Sequence, residues 1–246
     1  MRRLAVAIRF LSVLPTGPRG PIADADLGGS LLWFPLAGLV IGAILVVVHE
    51  LASRVLPPPA VGAVVVLGWV VVTGALHLDG LGDMCDGLYG GHTPEDRLRI
   101  MKDPHVGAMA AVAITTLLIL KFALVSSLPV SRIHQTLLVV PCVGRYAMVL
   151  LGSTLPYARA GGGTAAPFVR HSRKRSLIGA TATALPACGL ILGQRGFVLF
   201  GVALLAGLFM RSVFQRTLGG VTGDALGASG EVTEVMGLFV AAWAQG

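Results

Sequence analysis

The chain has 246 residues, of which 54% are hydrophobic and only 13% charged, and its mean hydropathy is +0.81. A soluble domain carries about 25% charged residues, so this chain lacks the polar surface to face water on every side, and an ordinary soluble globular domain is excluded. The net charge of +7 fits loop cations that set topology and touch anionic lipid, with no call for nucleic acid, and Cys85, Cys142 and Cys188 show no spacing of a zinc site or disulfide framework.

The N-terminal stretch MRRLAVAIRFLSVLPTGPRG has the outline of a signal peptide, but Arg9 interrupts its apolar run and no small-residue cleavage site precedes Pro15. It reads as an amphipathic interfacial helix that is retained. A spanning helix needs about 20 mostly apolar residues. Leu31 to Leu51 and Ala60 to Leu78 qualify, followed by Gly107 to Leu128 with Lys121 inside it and His134 to Leu155 with Arg145 inside it. Leu177 to Leu192 and Phe197 to Phe214 are shorter. The last run, Val235 to Ala244, becomes a full span if its helix starts near Leu226 and carries Glu231 and Glu234 at its mouth. The expectation is an all-α polytopic transmembrane helical bundle of six to seven spans behind the interfacial helix, forming one integral membrane catalytic domain over residues 1–246. No internal repeat of the transporter kind is visible.

Loop cations divide unevenly between the two membrane faces. One face receives Arg2, Arg3, Arg9, Arg19, Arg97, Arg99, Lys102, Arg159, Arg170, Arg173, Lys174, Arg175, Arg211 and Arg216, and the other only Arg54, Arg132 and Arg195. By the positive-inside rule the N-terminus is cytoplasmic. Six acidic residues between Asp79 and Asp103 and three between Asp224 and Glu234 fall on the same, cytoplasmic side. Carboxylates contribute little to topology, so their clustering needs another cause.

The first acidic cluster is HLDGLGDMCDG, His77 to Gly87. On a helix Asp79, Asp83 and Asp86, at i, i+4 and i+7, fall within about 60° of one another. A stripe of three like charges calls for a neutralising cation, and hard oxygen donors favour Mg²⁺ or Ca²⁺, Mg²⁺ being commonly shared with substrate phosphates. A solvated acidic loop at a helix end is the plainer alternative. The second cluster is GGVTGDALGASGEVTE, Gly219 to Glu234, with Asp224, Glu231 and Glu234 broadly on one helical side and Thr222 and Gly223 offering hydroxyl and backbone contacts. Two acidic clusters on one face suggest a shared metal–diphosphate site; two independent interfacial caps are the alternative. The candidate metal ligands are therefore Asp79, Asp83, Asp86, Asp224, Glu231 and Glu234.

Arg99, Lys102, Lys121 and Arg159 are candidate contacts for anionic substrate. Arg145 lies within a span, where a guanidinium must face a polar cavity or a carboxylate; Lys121 has the same requirement unless it snorkels. His77 is a candidate base or phosphate donor beside the aspartates. His49, His92, His134 and His171 form no metal-ligand spacing, and GxSxG, Walker A and HExxH are absent.

These motifs resemble the cobalamin (5′-phosphate) synthase family, the adenosylcobinamide-GDP ribazoletransferases, nearly end to end. The resemblance is carried by RFLSVLP (Arg9 to Pro15), FPLAGLVIGA (Phe34 to Ala43), TGALHLDGLGDMCDG (Thr73 to Gly87), RIMKDPHVG (Arg99 to Gly107), Lys121, Arg145, YAR (Tyr157 to Arg159) and RTLGGVTGDALGASGEVTE (Arg216 to Glu234). It implies a Mg²⁺-dependent enzyme of the prokaryotic cytoplasmic membrane. That enzyme joins adenosylcobinamide-GDP to α-ribazole or its 5′-phosphate and releases GMP, and the resemblance raises association with other cobalamin-assembly enzymes. Asp79, Asp83, Asp86, Arg145 and His77 are then expected to be catalytic. A UbiA-type prenyltransferase, with two Asp-rich motifs and Mg²⁺, and a membrane cation transporter are the rivals. The D-G-x2-A-R arrangement of CDP-alcohol phosphotransferases is absent.

Overall fold

The computed structural model describes residues 2–16, 20, 22–172 and 174–243. Arg19, Arg173 and Ala244, used in the topology and span readings above, lie outside the described residues. The described residues are helical throughout, apart from connections. In chain order the helices are α1 (Arg2–Leu11), α2 (Asp24–Ser30), α3 (Phe34–Ser53), α4 (Pro58–Thr73), α5 (Leu76–Gly90), α6 (Pro94–Ile100), α7 (Ala108–Ser126), α8 (Ile133–Thr154), α9 (Ala166–Arg170), α10 (Lys174–Leu192), α11 (Gln194–Leu218) and α12 (Gly223–Trp243). Among these, six helical stretches are long and apolar enough to cross a membrane, and the α4–α5 pair makes a seventh if counted as one broken span.

α1 is amphipathic, with Val6, Ala7 and Leu11 buried and Arg2, Arg3 and Arg9 exposed. α8 is the buried centre of the bundle, and α3, α10, α11 and α12 pack around it. In lipid, where burial of apolar surface drives little, helices associate through close packing and polar contacts. α3 supplies the close packing with Gly38 and Gly42, four residues apart, against the backbone of Pro141, Cys142 and Leu138.

The expected continuous span Ala60 to Leu78 is not continuous. Gly74 (φ 62°) and Ala75 (φ 56°) are both left-handed, and α5 leaves α4 at 87°. Glycine adopts this region readily, whereas an alanine there costs about 1–2 kcal/mol and needs its surroundings to hold it. The remaining helices alternate in direction. α3, α7, α10 and α12 start at the end of the bundle where α5 lies, and α4, α8 and α11 start at the opposite end.

Candidate active site

α5 carries Asp79, Asp83 and Asp86 in one helix, as their spacing requires. Asp79 is exposed, while Asp83 and Asp86 are half-buried. The three border a cavity of about 220 Å³, closed on its other side by Lys102, Asp103 and His105 from the α6–α7 connection. Asp86 is already engaged: its two oxygens accept from the backbone N–H groups of Gly107 (2.7 Å) and Ala110 (2.9 Å), so it caps the start of α7. Asp103 accepts from the His105 backbone N–H at 3.0 Å and pairs with its imidazole at 2.6 Å. That amide, with the ring second, holds the Asp103 carboxyl below its usual range.

Asp224 opens α12, where a carboxylate suits the helix dipole. Thr222 is the N-cap, its hydroxyl accepting from the Ala225 N–H at 3.1 Å. The connection after α8 lies beside this helix start, with Val221 N–H donating to Pro156 O (2.8 Å) and Ala158 N–H to Val221 O (2.9 Å). That pairing delivers Arg159, whose Nη2 lies 2.7 Å from Asp224 Oδ2 and 3.3 Å from the Met101 carbonyl.

The two acidic motifs meet through glycine. A Cβ on Gly80 would stand 2.9 Å from Asp224 Cα, and one on Gly227 would stand 3.1 Å from His77 Cα. Only bare backbone lets α5 and α12 approach this closely. Asp79, His77, Gly223 and Asp224 share a second, narrow cavity of about 60 Å³ with Thr164, walled by Phe10, Phe34 and Met148. Asp79 therefore borders both cavities, and neither the Asp79 nor the Asp83 carboxylate has a hydrogen-bond or ion-pair partner among the described residues.

Glu231 and Glu234 lie elsewhere. Ten residues of helix carry Glu234 about 15 Å along α12 from Asp224, into the bundle. There Lys121 Nζ donates to Glu231 (2.7 Å) and Glu234 (2.5 Å), and Arg145 pairs with the other oxygen of Glu234. All four are buried. Two cations and two carboxylates sum to zero charge, which is what a low-dielectric interior tolerates. The Lys121 ammonium also sits 4.3 Å from the centre of the Trp69 ring. Arg145 Nη2 reaches His77 Nδ1 at 3.3 Å; a guanidinium only donates, so Nδ1 accepts. The buried quartet thus touches the acidic helix through His77.

Among the other expected contacts, Lys102 and Gly223 border the cavities, while Arg99 points outward and pairs with Asp96 at 3.4 Å. Its neighbour Arg97 is structural, donating to the carbonyls of Gly91 and Thr217. The sequence alone does not single out Trp69, Thr164 or Asp103 as site residues. Asp103 was visible there as one more acid of the first cluster; nothing in the sequence marks Trp69 or Thr164 as partners of residues so far away.

Residues 3–242 match the family model Cobalamin-5-phosphate synthase. The adenosylcobinamide-GDP ribazoletransferase of Syntrophobacter fumaroxidans is 41% identical over 241 residues, covering 96% of both chains. Those of Chlorobaculum parvum (36% identical, 99% of this chain and 96% of the relative) and Acetivibrio thermocellus (30% identical, 98% and 97%) are similar over the same extent. No solved structure matches the chain. With a family model and full-length relatives in agreement, the chain belongs to the cobalamin-5-phosphate synthase family.

Proposed function

We propose that this chain joins adenosylcobinamide-GDP to α-ribazole or its 5′-phosphate, releasing GMP and forming adenosylcobalamin or its 5′-phosphate, with Mg²⁺ held at the aspartates. The observation that carries the site is the pair Asp79 and Asp83, whose carboxylates have no hydrogen-bond or ion-pair partner among the described residues and lie beside Asp224 where α5 and α12 cross.

The donor set fits a hard dication. Asp79 and Asp83 are uncommitted carboxylates, and Asp224 gives Arg159 only one oxygen, Oδ2. Mg²⁺ at this position supplies charge that screens the diphosphate and stabilises the departing phosphate oxygen. Asp86 serves as the cap of α7, and Glu231 and Glu234 serve as counter-ions to Lys121 and Arg145, which narrows the six candidate ligands to Asp79, Asp83 and Asp224.

This chain's own groups then divide the work. Lys102 and Arg159 bind the phosphoryl oxygens. A ribazole hydroxyl oxygen bonds to the phosphorus on the cobinamide arm as the anhydride P–O bond to GMP breaks. The hydroxyl proton passes to Asp79, which borders both cavities, and from there to water. Phe10, Phe34 and Met148 form an apolar wall of the inner cavity and limit competing hydrolysis. The positive-inside asymmetry supports a cytoplasmic placement of this face, in keeping with the prokaryotic cytoplasmic membrane that the family resemblance implies.

The test is product analysis with purified protein, adenosylcobinamide-GDP, α-ribazole and Mg²⁺. GMP is expected in step with adenosylcobalamin. Asp83→Asn and Asp224→Asn each abolish it, and the double variant loses little more than either, because the groups act as a unit. Inorganic diphosphate released from a prenyl donor would favour a prenyltransferase instead, and ion flux without chemistry a transporter.

A further inference from the structure

The bundle carries a second polar cluster at the end away from the aspartates. His49 and Glu50 sit in the last turns of α3, and His134 in the first turn of α8. Twenty residues of α8 separate His134 from Thr154, or about 30 Å, so the cluster plays no part in the site at α5. His49 Nδ1 lies 3.1 Å from His134 Nε2, and that same nitrogen lies 3.0 Å from Glu50 Oε1. One ligand atom from each residue falls within 4.8 Å of the others. Sequence spacing shows no metal pattern among these histidines, because 85 residues separate the two that meet.

We propose that His49, Glu50 and His134 form a site for a borderline transition-metal dication of the Zn²⁺ type. The donor chemistry is that of such a site, with two imidazoles and one carboxylate. Its dimensions fit as well. Bonds of about 2.0–2.1 Å to a tetrahedral ion separate ligand atoms by about 3.3–3.4 Å, so the His49–His134 and His134–Glu50 separations of 3.1 and 3.0 Å need open by only a few tenths of an ångström, and the third pair already lies within 4.8 Å.

The protonation pattern is prepared for it. The Ser53 hydroxyl donates to the His49 carbonyl at 2.7 Å, leaving its oxygen to accept from His49 Nε2, 3.4 Å away. A proton held on Nε2 leaves Nδ1 with its lone pair turned toward His134 and Glu50, the arrangement that supporting hydrogen bonds give to metal-ligating histidines. A single proton on His134 Nε2 can lie between His49 Nδ1 and Glu50, and a dication replaces that proton with three bonds. His49, Glu50 and His134 line a cavity of about 460 Å³ together with Ser53, Pro58 and Val130, which leaves room for water as a fourth ligand. An ion there would clip the end of α3 to the start of α8.

The experiment uses the full chain purified in detergent without a polyhistidine tag, stripped of metal, and titrated with Co²⁺ in excess Mg²⁺. One equivalent is expected to bind with the intense ligand-field absorption of a tetrahedral nitrogen-containing site, and Zn²⁺ is expected to displace it. His134→Gln and Glu50→Gln are expected to weaken binding at least ~10-fold while leaving ribazole transfer unchanged, which also reports that the variants fold; ~10-fold is the low end of the loss when a supporting partner of a metal ligand is removed. X-ray absorption of the Zn²⁺-loaded wild type needs no variant and should show nitrogen neighbours at about 2.0–2.1 Å. An all-oxygen or sulfur shell, Co²⁺ displaced by Mg²⁺, or unaltered affinity in both variants overturns the proposal.

Discussion

Lys121 shows how much a single side chain holds in this bundle. It is the sole cation bonded to Glu231 among the described residues, and it shares Glu234 with Arg145. Removing it leaves a buried carboxylate uncompensated, which costs about 3–5 kcal/mol. Lys121→Met should therefore lower the unfolding temperature in detergent markedly, and Lys121→Met with Glu231→Gln should recover most of the loss. A double variant as unstable as the single would show that the pair is not the source. This pairing was only half legible in the sequence. That Arg145 needs a carboxylate followed from the cost of charge in lipid. That Glu231 and Glu234 are such carboxylates did not follow, because their separation from Asp224 gives a depth along α12 but not which cations of α7 and α8 stand at that depth. Asp224, Glu231 and Glu234 share a side of α12 but not a level. Asp86 hid its role in the same way: its oxygens are taken by amides of another helix, 21 and 24 residues away.

At the scale of helices, the crossing of α5 and α12 brings the two motifs together. Gly80→Ala puts a methyl 2.9 Å from the Asp224 backbone, closer than real contacts allow, and backbone on both sides leaves nothing flexible to yield. Separating the helices by even about 1 Å misplaces reacting groups, for which a loss of about 100-fold in turnover is expected. Gly161→Ala, whose added carbon meets nothing within 4 Å, should leave turnover unchanged. Equal activity in the two variants would remove the crossing from the mechanism. The sequence placed both clusters on helices and both at one membrane face; Asp79, Asp83, Asp86 and Asp224 do gather at one end of the bundle, whereas Glu231 and Glu234 are buried within it. It did not reveal the turn between α4 and α5, since hydrophobicity runs on through Leu78 and the break rests on one glycine followed by an alanine in a region alanine rarely occupies.

For the molecule as a whole, span count and helix order follow from hydrophobic run length, the strongest signal a membrane chain offers. Direction across the membrane rests on the cation asymmetry. Cysteines introduced at Gly90, beside the aspartates, and at Val130, at the opposite end and 92% exposed, should label differently: an impermeant thiol reagent outside intact cells reaches Val130→Cys and spares Gly90→Cys. The reverse pattern would put the aspartates outside the cell, and labelling of both would contradict the alternating helix directions. The turn between α4 and α5 also settles a matter of length. The two helices have 16 and 15 residues, so laid straight they would make a rod of about 47 Å at 1.5 Å per residue. The hydrocarbon layer is only about 30 Å thick. Folding the surplus sideways, at 87° to α4, keeps Asp79, Asp83 and Asp86 against the end of the bundle instead of raised beyond it on a stalk. For any substrate adsorbed to the membrane, such a placement turns the encounter with the reacting groups into a search in two dimensions.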